Sequence, residues 1–514
     1  MPSYTNPVVA GHAPDPSVVR VGNDYFLATS SFGMLPGIPI RHSTDLVNWR
    51  IIGHAVARPA QYRRDGRPGP VELFAPTLRH HDGRFYLACT NAHKGQGNFY
   101  VTAEDPAEWS DATWVDEEAF DPSLFRDEDG TWYYTRRSLD FGREDGSLGP
   151  IVQAEIDIAT GSIGELRALT SGGGFLTNDI EGPHLFRRGD WYYLTAAEGS
   201  SWKGHLQSIG RSRSPWGPFE PAPHNPILSH RDRVGHPIQS VGHADLFDDS
   251  NGNWWAVSLG TRHAPLSHHH NIGRETFLTP VTWTHDGWPI IGRNGTTELQ
   301  FTDAPLPVGN DRPLVAHEGL WLNGWTTLGP AGETASVREA AIRLPAGAEP
   351  WTTSAPTGAL FRAQSADDQV FRATVTNCAE AKAGIGVYTD RRHNYFVVVE
   401  NQGNTRKLRF RRQADDLITE ETLPFPGDGP ITLEVEARPV AYSFRASSSG
   451  HHLEIGTGSA RLLSAEAAEW FVATHYALVS SGTSPHGFAE FTDITISDSQ
   501  PLPPNLVPPF AADL

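Results

Sequence analysis

Asp129-Gly130-Thr131-Trp132-Tyr133-Tyr134 is one of five similar stretches in the first half of the chain, each of which joins turn residues to aromatic and apolar ones. Such a combination predicts a hairpin turn that leads into a strand. The other four stretches are Asn23-Asp24-Tyr25-Phe26-Leu27-Ala28, Asp82-Gly83-Arg84-Phe85-Tyr86-Leu87, Gly189-Asp190-Trp191-Tyr192-Tyr193-Leu194 and Asn251-Gly252-Asn253-Trp254-Trp255-Ala256. The chain therefore repeats one β-hairpin unit five times.

The spacing of this repeat predicts the architecture of the first domain. Between the marker residues Phe26, Tyr86, Tyr133, Tyr192 and Trp255 the separations are 60, 47, 59 and 63 residues, which suits a four-stranded sheet with its loops. Helical periodicity is nearly absent here, so helical solenoids are poor candidates. We therefore predict a five-bladed β-propeller over residues 1–300.

The second half of the chain has a different pattern. Residues 301–313 fall in a stretch rich in Thr, Pro, Gly and Asp, which predicts a linker. Beyond it, short β runs such as Ile431-Thr432-Leu433-Glu434-Val435-Glu436 alternate with turns. We expect residues 314–514 to form a β-sandwich of the jelly-roll or lectin-like kind, so the predicted fold class is all-β.

Composition and charge limit the partners of the protein. The 514 residues carry a formal net charge of −19, which would repel nucleic acid and anionic membrane surfaces. A neutral ligand is more compatible with this charge. The N-terminus lacks the basic and apolar regions of a signal peptide, and no apolar stretch is long enough to span a bilayer, so we expect a cytoplasmic protein.

Acidic residues recur at similar positions in the repeat. Eleven residues before each marker, or twelve in the third unit, the chain has Asp15, Ala75, Asp121, Glu181 and Ala244, the last beside His243. The first strand of a propeller blade lines the central channel, so the three acids should converge. One Asp beside a proline is most often a turn residue, whereas three in register favour catalysis, with a cation site as the alternative.

At these residues the chain resembles glycoside hydrolase family 43, five-bladed propellers that include β-xylosidases, α-L-arabinofuranosidases and arabinanases. A C-terminal β-sandwich is typical of the exo-acting branch of that family. The matching motifs are His12-Ala13-Pro14-Asp15-Pro16-Ser17, Phe74-Ala75-Pro76-Thr77, Asp121-Pro122-Ser123, Glu181-Gly182-Pro183-His184, Gly242-His243-Ala244-Asp245 and Gly273-Arg274-Glu275-Thr276.

The resemblance implies a role for each acid. Asp15 is the expected general base that activates water, and Glu181 is the expected general acid. Asp121 would orient Glu181 and raise its pKa through like-charge repulsion. An inverting mechanism needs the two catalytic carboxyls roughly 6.5 to 9.5 Å apart, which blades facing each other across a channel can supply.

The resemblance also implies substrate-binding residues. Arg274 is expected to grip sugar hydroxyls, with a surface cation on a turn as the alternative. Phe32 and Phe74 are expected to form aromatic walls of the pocket, although aromatic residues at inner blade edges are as often part of a core. The chemistry itself requires no cofactor.

Histidines raise the question of metal binding. His243 resembles a channel histidine that lies near a calcium ion in several relatives, with a structural histidine as the alternative because calcium prefers oxygen ligands. The run His268-His269-His270 predicts a solvated loop near the pocket. Three adjacent histidines cannot all face one ion, so we assign no zinc to this run.

These observations predict an exo-acting, inverting glycoside hydrolase that releases terminal α-L-arabinofuranose, β-D-xylose or both from arabinoxylan-derived or xylo-oligosaccharides. The sandwich is expected to close one end of the pocket, which would favour exo-action. The alternatives are an endo-arabinanase-like hydrolase with an open groove and a carbohydrate-binding propeller without catalysis. The expected partner is a pentose-containing oligosaccharide, and a homo-oligomer remains open.

Overall fold

The structure is a computed structural model. It describes residues 3–499 apart from 65–68, 93–96, 119, 140–148, 171–173, 203, 264–267, 303, 308–318, 330–334, 339–340, 355, 403–404 and 427–428. Helices in this part of the chain are short: α1 (Ala465–Ala468) and two 3₁₀ turns, Pro59–Gln61 and Arg461–Leu463. None of the helices described has the length and apolar character that a membrane crossing needs.

Five antiparallel sheets form the propeller, and each follows chain order from its first strand to its fourth. Blade 1 has β2 (Ser17–Val21), β3 (Asp24–Ala28), β4 (Gly37–Ser43) and β5 (Arg50–Val56), and blade 2 has β6 (Leu73–His81), β7 (Arg84–Asn91), β8 (Gly97–Ala103) and β9 (Thr113–Asp116). Blade 3 has β10 (Ser123–Arg126), β11 (Trp132–Arg137), β12 (Ile151–Glu155) and β13 (Arg167–Ala168).

The remaining two blades follow the same order. Blade 4 has β14 (Ile180–Arg188), β15 (Trp191–Glu198), β16 (Leu206–Ser212) and β17 (Glu220–Pro221), with β18 (Leu228–Ser229) also paired to β16. Blade 5 has β19 (Ile238–Asp248), β20 (Trp254–Arg262), β21 (Arg274–Trp283) and β22 (Pro289–Ile291). Each of the five repeated stretches enters the second strand of a blade, so the predicted five-bladed propeller is confirmed.

Hydrophobic clusters fill the spaces between neighbouring blades and close the ring. They include Ile40 with Leu87 between blades 1 and 2, Tyr100 with Leu124 between blades 2 and 3, Ile151 with Leu185 between blades 3 and 4, Ile209 with Leu246 between blades 4 and 5, and Leu27 with Val257 between blades 5 and 1. The stability of the propeller therefore depends on contacts between blades and not on one central core.

The N-terminal segment ties the two ends of the propeller together. β1 (Tyr4–Thr5) pairs with β23 (Gln300–Phe301). Asn6 bridges to blade 5, since its side-chain amide donates to the carbonyls of Leu278 and Glu298, both at 2.9 Å, and its side-chain oxygen accepts from the Leu278 amide at 2.9 Å. The first linker residue predicted, Phe301, thus pairs within β23. Residues 303 and 308–313 of that linker lie outside the described residues, and its bounds stay a prediction.

The C-terminal part is a sandwich of two seven-stranded sheets. One has β24 (Trp325–Thr326), β27 (Ala359–Ala363), β36 (His475–Ser481), β29 (Lys382–Tyr388), β30 (His393–Gln402), β31 (Thr405–Ala414) and β32 (Leu417–Phe425). The other has β25 (Ser336–Arg338), β26 (Ala341–Pro345), β37 (Phe488–Asp498), β28 (Gln369–Ala379), β33 (Ile431–Ala437), β34 (Ala441–Ser448) and β35 (His451–Ser459). One core cluster contains residues of both sheets, which confirms the predicted sandwich.

Candidate active site

In addition to Ser240 of β19, one residue near the start of each blade's inner strand has a positive φ angle, which turns the backbone at the central channel. These residues are Asp15, Ala75, Asp121, Gly182 and His243, with φ of 54°, 41°, 59°, 57° and 49°. The sequence count thus found this position in blades 1 to 3. In blades 4 and 5 it is off by one, because it gives Glu181 and Ala244 where the structure has Gly182 and His243.

Turn length explains the error in blade 5. In blade 4 the cause is the marker, because Tyr192 is the second residue of its strand whereas Phe26 and Tyr86 are the third of theirs. The first hairpin of a blade has a two-residue turn in blades 1, 2 and 4 and a five-residue turn in blades 3 and 5. A fixed distance from a marker therefore cannot remain in register. The structure still brings Asp15, Asp121 and Glu181 together, with Glu181 one residue before the turned position of its blade.

Asp15 is held as an anion in a nearly closed environment. It is 5 % exposed, its Oδ2 accepts a 2.5 Å hydrogen bond from the Ser30 hydroxyl, and its Oδ1 lies 3.4 Å from Nη1 of Arg274 and 3.5 Å from Nδ1 of His243. Burial alone would raise the pKa of Asp15, but Arg274, His243 and Ser30 together hold the pKa below its ordinary value. Asp15 is therefore ionised, as a general base must be.

Asp121 has the opposite character. Burial first, and then repulsion from Glu181 and Asp15, raise its pKa to about 7, against the attraction of His243. Its Oδ2 accepts a 2.9 Å hydrogen bond from the Gly182 amide, directly after Glu181 in the chain. Asp121 therefore couples to Glu181 through both charge and backbone position.

Glu181 is the most accessible of the three acids, with a side chain 17 % exposed. Its Oε2 lies 3.2 Å from Nη1 of Arg137, and its Oε1 accepts a 3.1 Å hydrogen bond from the Ser201 hydroxyl. Arg137 also pairs with Asp179 at 3.0 Å and is only 4 % exposed. The arginine therefore orients Glu181 from one side while Asp121 holds the adjoining backbone.

Sequence reasoning missed Arg137. The residue ends β11, a strand that begins with one of the five repeated aromatic stretches. Charged residues are almost never fully buried unless they are paired. An arginine in a strand with a core-type sequence could therefore have indicated a buried ion pair. Its partner could not be inferred, because Glu181 lies in the next blade.

Arg274 lies where the resemblance led us to expect a sugar-binding cation. The residue is 5 % exposed, and its guanidinium carbon stands 5.0 Å from the Phe32 ring centroid and 4.6 Å from that of Phe471. Nε and Nη2 of Arg274 are buried without a hydrogen-bond partner among the residues described. Buried donors of this kind are costly unless a ligand satisfies them, so Arg274 has two donor nitrogens for hydroxyl oxygens.

Aromatic side chains lie beside Arg274, and the role of Phe32 and Phe74 as walls of a sugar pocket stays a prediction. The rings of Phe32 and Phe74 pack with centroids 4.8 Å apart. A third aromatic, Phe471, comes from the sandwich; its ring stacks on Trp202 at 5.2 Å and lies 6.4 Å from Phe32. Sequence analysis expected the sandwich to close one end of the pocket but named none of its residues.

Two cavities adjoin at this domain boundary, and segment 470–472 lines both. The larger, of about 460 Å³, is also lined by Ser201, Trp202 and Arg274. The smaller, of about 220 Å³, is lined by Phe32 and Glu72 among others. Two side chains that line the larger cavity contact acids, since Arg274 contacts Asp15 and Ser201 contacts Glu181.

Glu72 is a second residue that the sequence did not reveal. Its Oε2 is buried without a hydrogen-bond partner among the described residues, and burial raises its pKa to about 7. Glu72 lies two residues before the motif Phe74-Ala75-Pro76-Thr77 and is therefore outside the pattern that the sequence analysis recognised. A carboxyl in this state can exchange hydrogen bonds with a sugar hydroxyl.

His243 packs tightly in the channel, but its surroundings are a poor fit for calcium. A Cβ built on Gly182 would lie 2.6 Å from Nε2 of His243. A calcium ion takes six to eight oxygen ligands, whereas the carboxylate near this histidine, Asp15, already contacts Arg274. No group of three potential ligand atoms that includes His243 occurs in the part of the chain described. The calcium ion stays a prediction.

The prediction of a solvated loop for the run His268-His269-His270 is wrong in part. His268 is exposed, but His270 is only 6 % exposed, and its Nδ1 lies 2.9 Å from Oε1 of Glu466 in the sandwich. Residues 264–267 lie outside the described residues. The correction follows from the sandwich, which covers the end of the loop.

Comparison with known families agrees with this geometry. The family model described as "Glycosyl hydrolases family 43" matches residues 4–289. The chain belongs to glycoside hydrolase family 43. The model "Beta xylosidase C-terminal Concanavalin A-like domain" matches residues 323–497, which is the sandwich.

Individual members of family 43 resemble the chain over one or both domains. "Non-reducing end alpha-L-arabinofuranosidase BoGH43B" of Bacteroides ovatus is 36 % identical over 511 residues, which cover 95 % of this chain and 94 % of the relative. "Xylosidase/arabinosidase" of Butyrivibrio fibrisolvens is 42 % identical over 297 residues, which cover 56 % of each chain. The chain is thus a glycosidase of family 43.

Solved family 43 structures share both domains. "Bacteroides ovatus Xyloglucan PUL GH43B" has a TM-score of 0.85 and 34 % identity, and the match covers 95 % of this chain and 98 % of that one. The xylan beta-1,4-xylosidase from Bacillus halodurans has a TM-score of 0.85 and 27 % identity, with the same coverage. The propeller and the sandwich therefore recur together.

Proposed function

We propose that the protein is an exo-acting, inverting glycoside hydrolase that releases terminal α-L-arabinofuranose, β-D-xylose or both from arabinoxylan-derived or xylo-oligosaccharides. One observation carries the proposal: Arg274, bound to Asp15, and Ser201, bound to Glu181, line the same 460 Å³ cavity. The expected base and the expected acid thus each contact a side chain that lines one cavity, which has a size that suits a small ligand.

The proposed reaction is a single displacement. Asp15 removes a proton from water as the water oxygen bonds to the anomeric carbon, and Glu181 protonates the glycosidic oxygen as its bond to that carbon breaks. The configuration inverts, and solvent then restores the proton to Glu181 and removes it from Asp15. Water is the only co-reactant, and the scheme uses no cofactor.

Exo-action is supported by the covered end of the site. Segment 470–472 lines both cavities, and Phe471 packs on Arg274 and near Phe32. An endo-acting hydrolase needs a groove in which sugars continue on both sides of the cleaved bond. The sandwich segment obstructs one direction, so we propose cleavage of a terminal residue. The name of the Bacteroides ovatus relative, with its non-reducing-end specificity, agrees with this proposal.

The substrate and the stereochemistry are tested directly. Nitrophenyl α-L-arabinofuranoside and β-D-xyloside are compared as substrates, and the anomer first released is followed by NMR. We expect release of one or both sugars with inverted configuration. Retained configuration would contradict the mechanism, and oligosaccharides as the first products from arabinan would favour the endo alternative.

The role of Glu181 is tested by leaving-group dependence. A nitrophenolate departs without protonation, whereas the alcohol of an oligosaccharide needs a proton from the acid. In Glu181→Gln we expect kcat to fall by about 10²- to 10⁴-fold on oligosaccharides and by much less on an activated nitrophenyl glycoside. Equal losses on both substrates would contradict the assignment.

The role of Asp15 is tested by chemical rescue. Asp15→Ala removes the base, and we expect kcat to fall by about 10²- to 10⁴-fold on every substrate. Azide is a nucleophile that needs no deprotonation, so it should restore turnover and give a glycosyl azide of inverted configuration. The absence of rescue together with an intact fold would count against Asp15 as the base.

A further inference from the structure

A second group of potential ligands lies where the two domains meet, apart from the three acids. His263 follows β20, His270 precedes β21 and Glu466 belongs to α1 of the sandwich. One ligand atom from each of the three side chains lies within 4.8 Å of the others. Two propeller residues, one after β20 and one before β21, and one residue of a sandwich helix therefore place donor atoms close together.

The contacts within this group already bridge the domains. Nδ1 of His270 lies 2.9 Å from Oε1 of Glu466, and the His270 backbone amide donates to Oε2 of Glu466 at 3.1 Å. The rings of His263 and His270 stand nearly parallel, 13° apart, with centroids at 5.6 Å. His270 is 6 % exposed, and the Glu466 side chain is 28 % exposed. The group is thus ordered by packing and is partly shielded from water.

The donor set favours a particular class of ion. Two imidazole nitrogens and one carboxylate are a ligand set that zinc accepts in sites with an open fourth position. Bonds of about 2.0–2.2 Å would place the ligand atoms about 3.4 Å apart. This separation lies between the 2.9 Å from Nδ1 of His270 to Oε1 of Glu466 and the 4.8 Å within which all three ligand atoms lie. Calcium and magnesium prefer oxygen ligands and suit this set poorly.

We propose that His263, His270 and Glu466 bind a zinc ion that ties the propeller to the sandwich. All three residues line the 460 Å³ cavity, so the open coordination position faces that cavity and takes a water molecule. Glu466 and Phe471 belong to the same chain segment. The bound ion therefore also fixes the aromatic residue that covers Arg274.

The site is tested by zinc titration of the full-length protein after treatment with a chelator. We expect one ion per chain in the wild type and at least tenfold weaker binding in His263→Asn and in Glu466→Gln. His451→Ala/His452→Ala removes two exposed histidines of β35 and serves as the control, with unchanged binding. Zinc should raise the Tm of the wild type and of this control but not that of Glu466→Gln.

Several outcomes would overturn the proposal. They are the absence of zinc binding by the wild type, binding by both single variants that is as tight as that of the wild type, and binding that Asp121→Asn abolishes but Glu466→Gln retains, which would assign the ion to the hydrolytic acids. Visible absorption of the cobalt-substituted protein gives a readout independent of activity. The band expected for nitrogen and oxygen ligands should be lost in His263→Asn even where Tm is unchanged.

Discussion

Asp15 and Asp121 share one channel, yet their surroundings push their pKa values apart. Asp15 faces the Arg274 guanidinium and a hydroxyl donor, which outweigh its burial. Asp121 has one backbone amide as donor and two carboxyls as neighbours, so burial dominates. Such separation of proton affinities keeps Asp15 ionised while Asp121 retains its proton to a higher pH.

The raised pKa of Asp121 predicts a pH-dependent cost to stability. The pKa rises from an ordinary 3.8 in the unfolded chain to about 7 in the folded one, so the folded state is favoured most below pH 4 and loses this contribution as pH rises through 7. Asp121→Asn removes the titrating group. We expect the free energy of unfolding of this variant to exceed that of the wild type by about 2 kcal/mol at pH 8, and the two to be nearly equal at pH 4.

Urea unfolding of both proteins at pH 4 to 8 checks this prediction. An equal slope of the unfolding free energy against pH in the two proteins would contradict it. In activity, the same variant should move the alkaline limb of the kcat/KM profile to lower pH, because an amide no longer repels negative charge on the neighbouring acid.

At the scale of elements, the positive-φ position in blade 4 is a tight contact between inner strands. Gly182 has a φ of 57°, and an added Cβ would lie 2.6 Å from Nε2 of His243. Gly189, in the next turn, has a φ of 59° and nothing within 4 Å of an added Cβ. Alanine substitutions at the two glycines therefore distinguish the cost of backbone strain from the cost of the steric contact.

The matched pair Gly182→Ala and Gly189→Ala tests this contact. We expect Gly189→Ala to cost about 1 kcal/mol, the price of a left-handed backbone alone. Gly182→Ala should cost about 3 kcal/mol, because the imidazole must also move, and its kcat should fall since His243 contacts Asp15. Thermal unfolding and kcat of both variants give the comparison; equal losses in stability would rule out the steric contribution.

Segment 470–472 is the element through which the sandwich enters the site. Phe471→Ala removes the ring that packs on Arg274 and Trp202. We expect kcat/KM to fall about tenfold, corresponding to ~1.4 kcal/mol of lost aromatic contact, mainly through a higher KM. Leu462→Ala, at a side chain 46 % exposed in the preceding 3₁₀ turn, is the control and should keep wild-type kinetics.

Elements were predictable from the sequence where a repeat existed and less so where loop lengths vary. The aromatic stretches identified all five second strands, because alternating burial imposes the same pattern in each blade. The inner-strand position was off by one residue in blade 5, where the turn is longer, and in blade 4, where the marker stands one residue earlier in its strand. Arg137 escaped notice because its partner Glu181 lies in another blade.

On the scale of the whole molecule, ring closure depends on the N-terminal segment. Asn6 is 3 % exposed and makes three side-chain hydrogen bonds to blade 5 and to the segment before β23. Asn6→Ala would leave buried backbone groups without partners. We expect a loss of about 3 kcal/mol in the free energy of unfolding, measured by urea unfolding, whereas the exposed Asn48→Ala should change it by less than about 0.5 kcal/mol.

The division into a propeller and a sandwich was readable from the sequence, but the surface between them was not. Composition and strand pattern change near residue 300, and each domain follows its own periodicity. Contacts such as His270 with Glu466 join residues 196 positions apart. No local pattern encodes which residues of one domain will face the other, so Phe471 and Glu466 emerged only with the fold.

Because a segment of the sandwich covers the site, the two domains are not interchangeable modules. A chimera that joins this propeller to the sandwich of another family member would bring a foreign Phe471 equivalent, and with it a different fit for the leaving sugar. Substrate selectivity should then depend on which sandwich the chimera contains, although all three hydrolytic acids belong to the propeller. For protein engineers, the sandwich is therefore the smaller sugar-facing surface to redesign, because it carries no catalytic carboxylate.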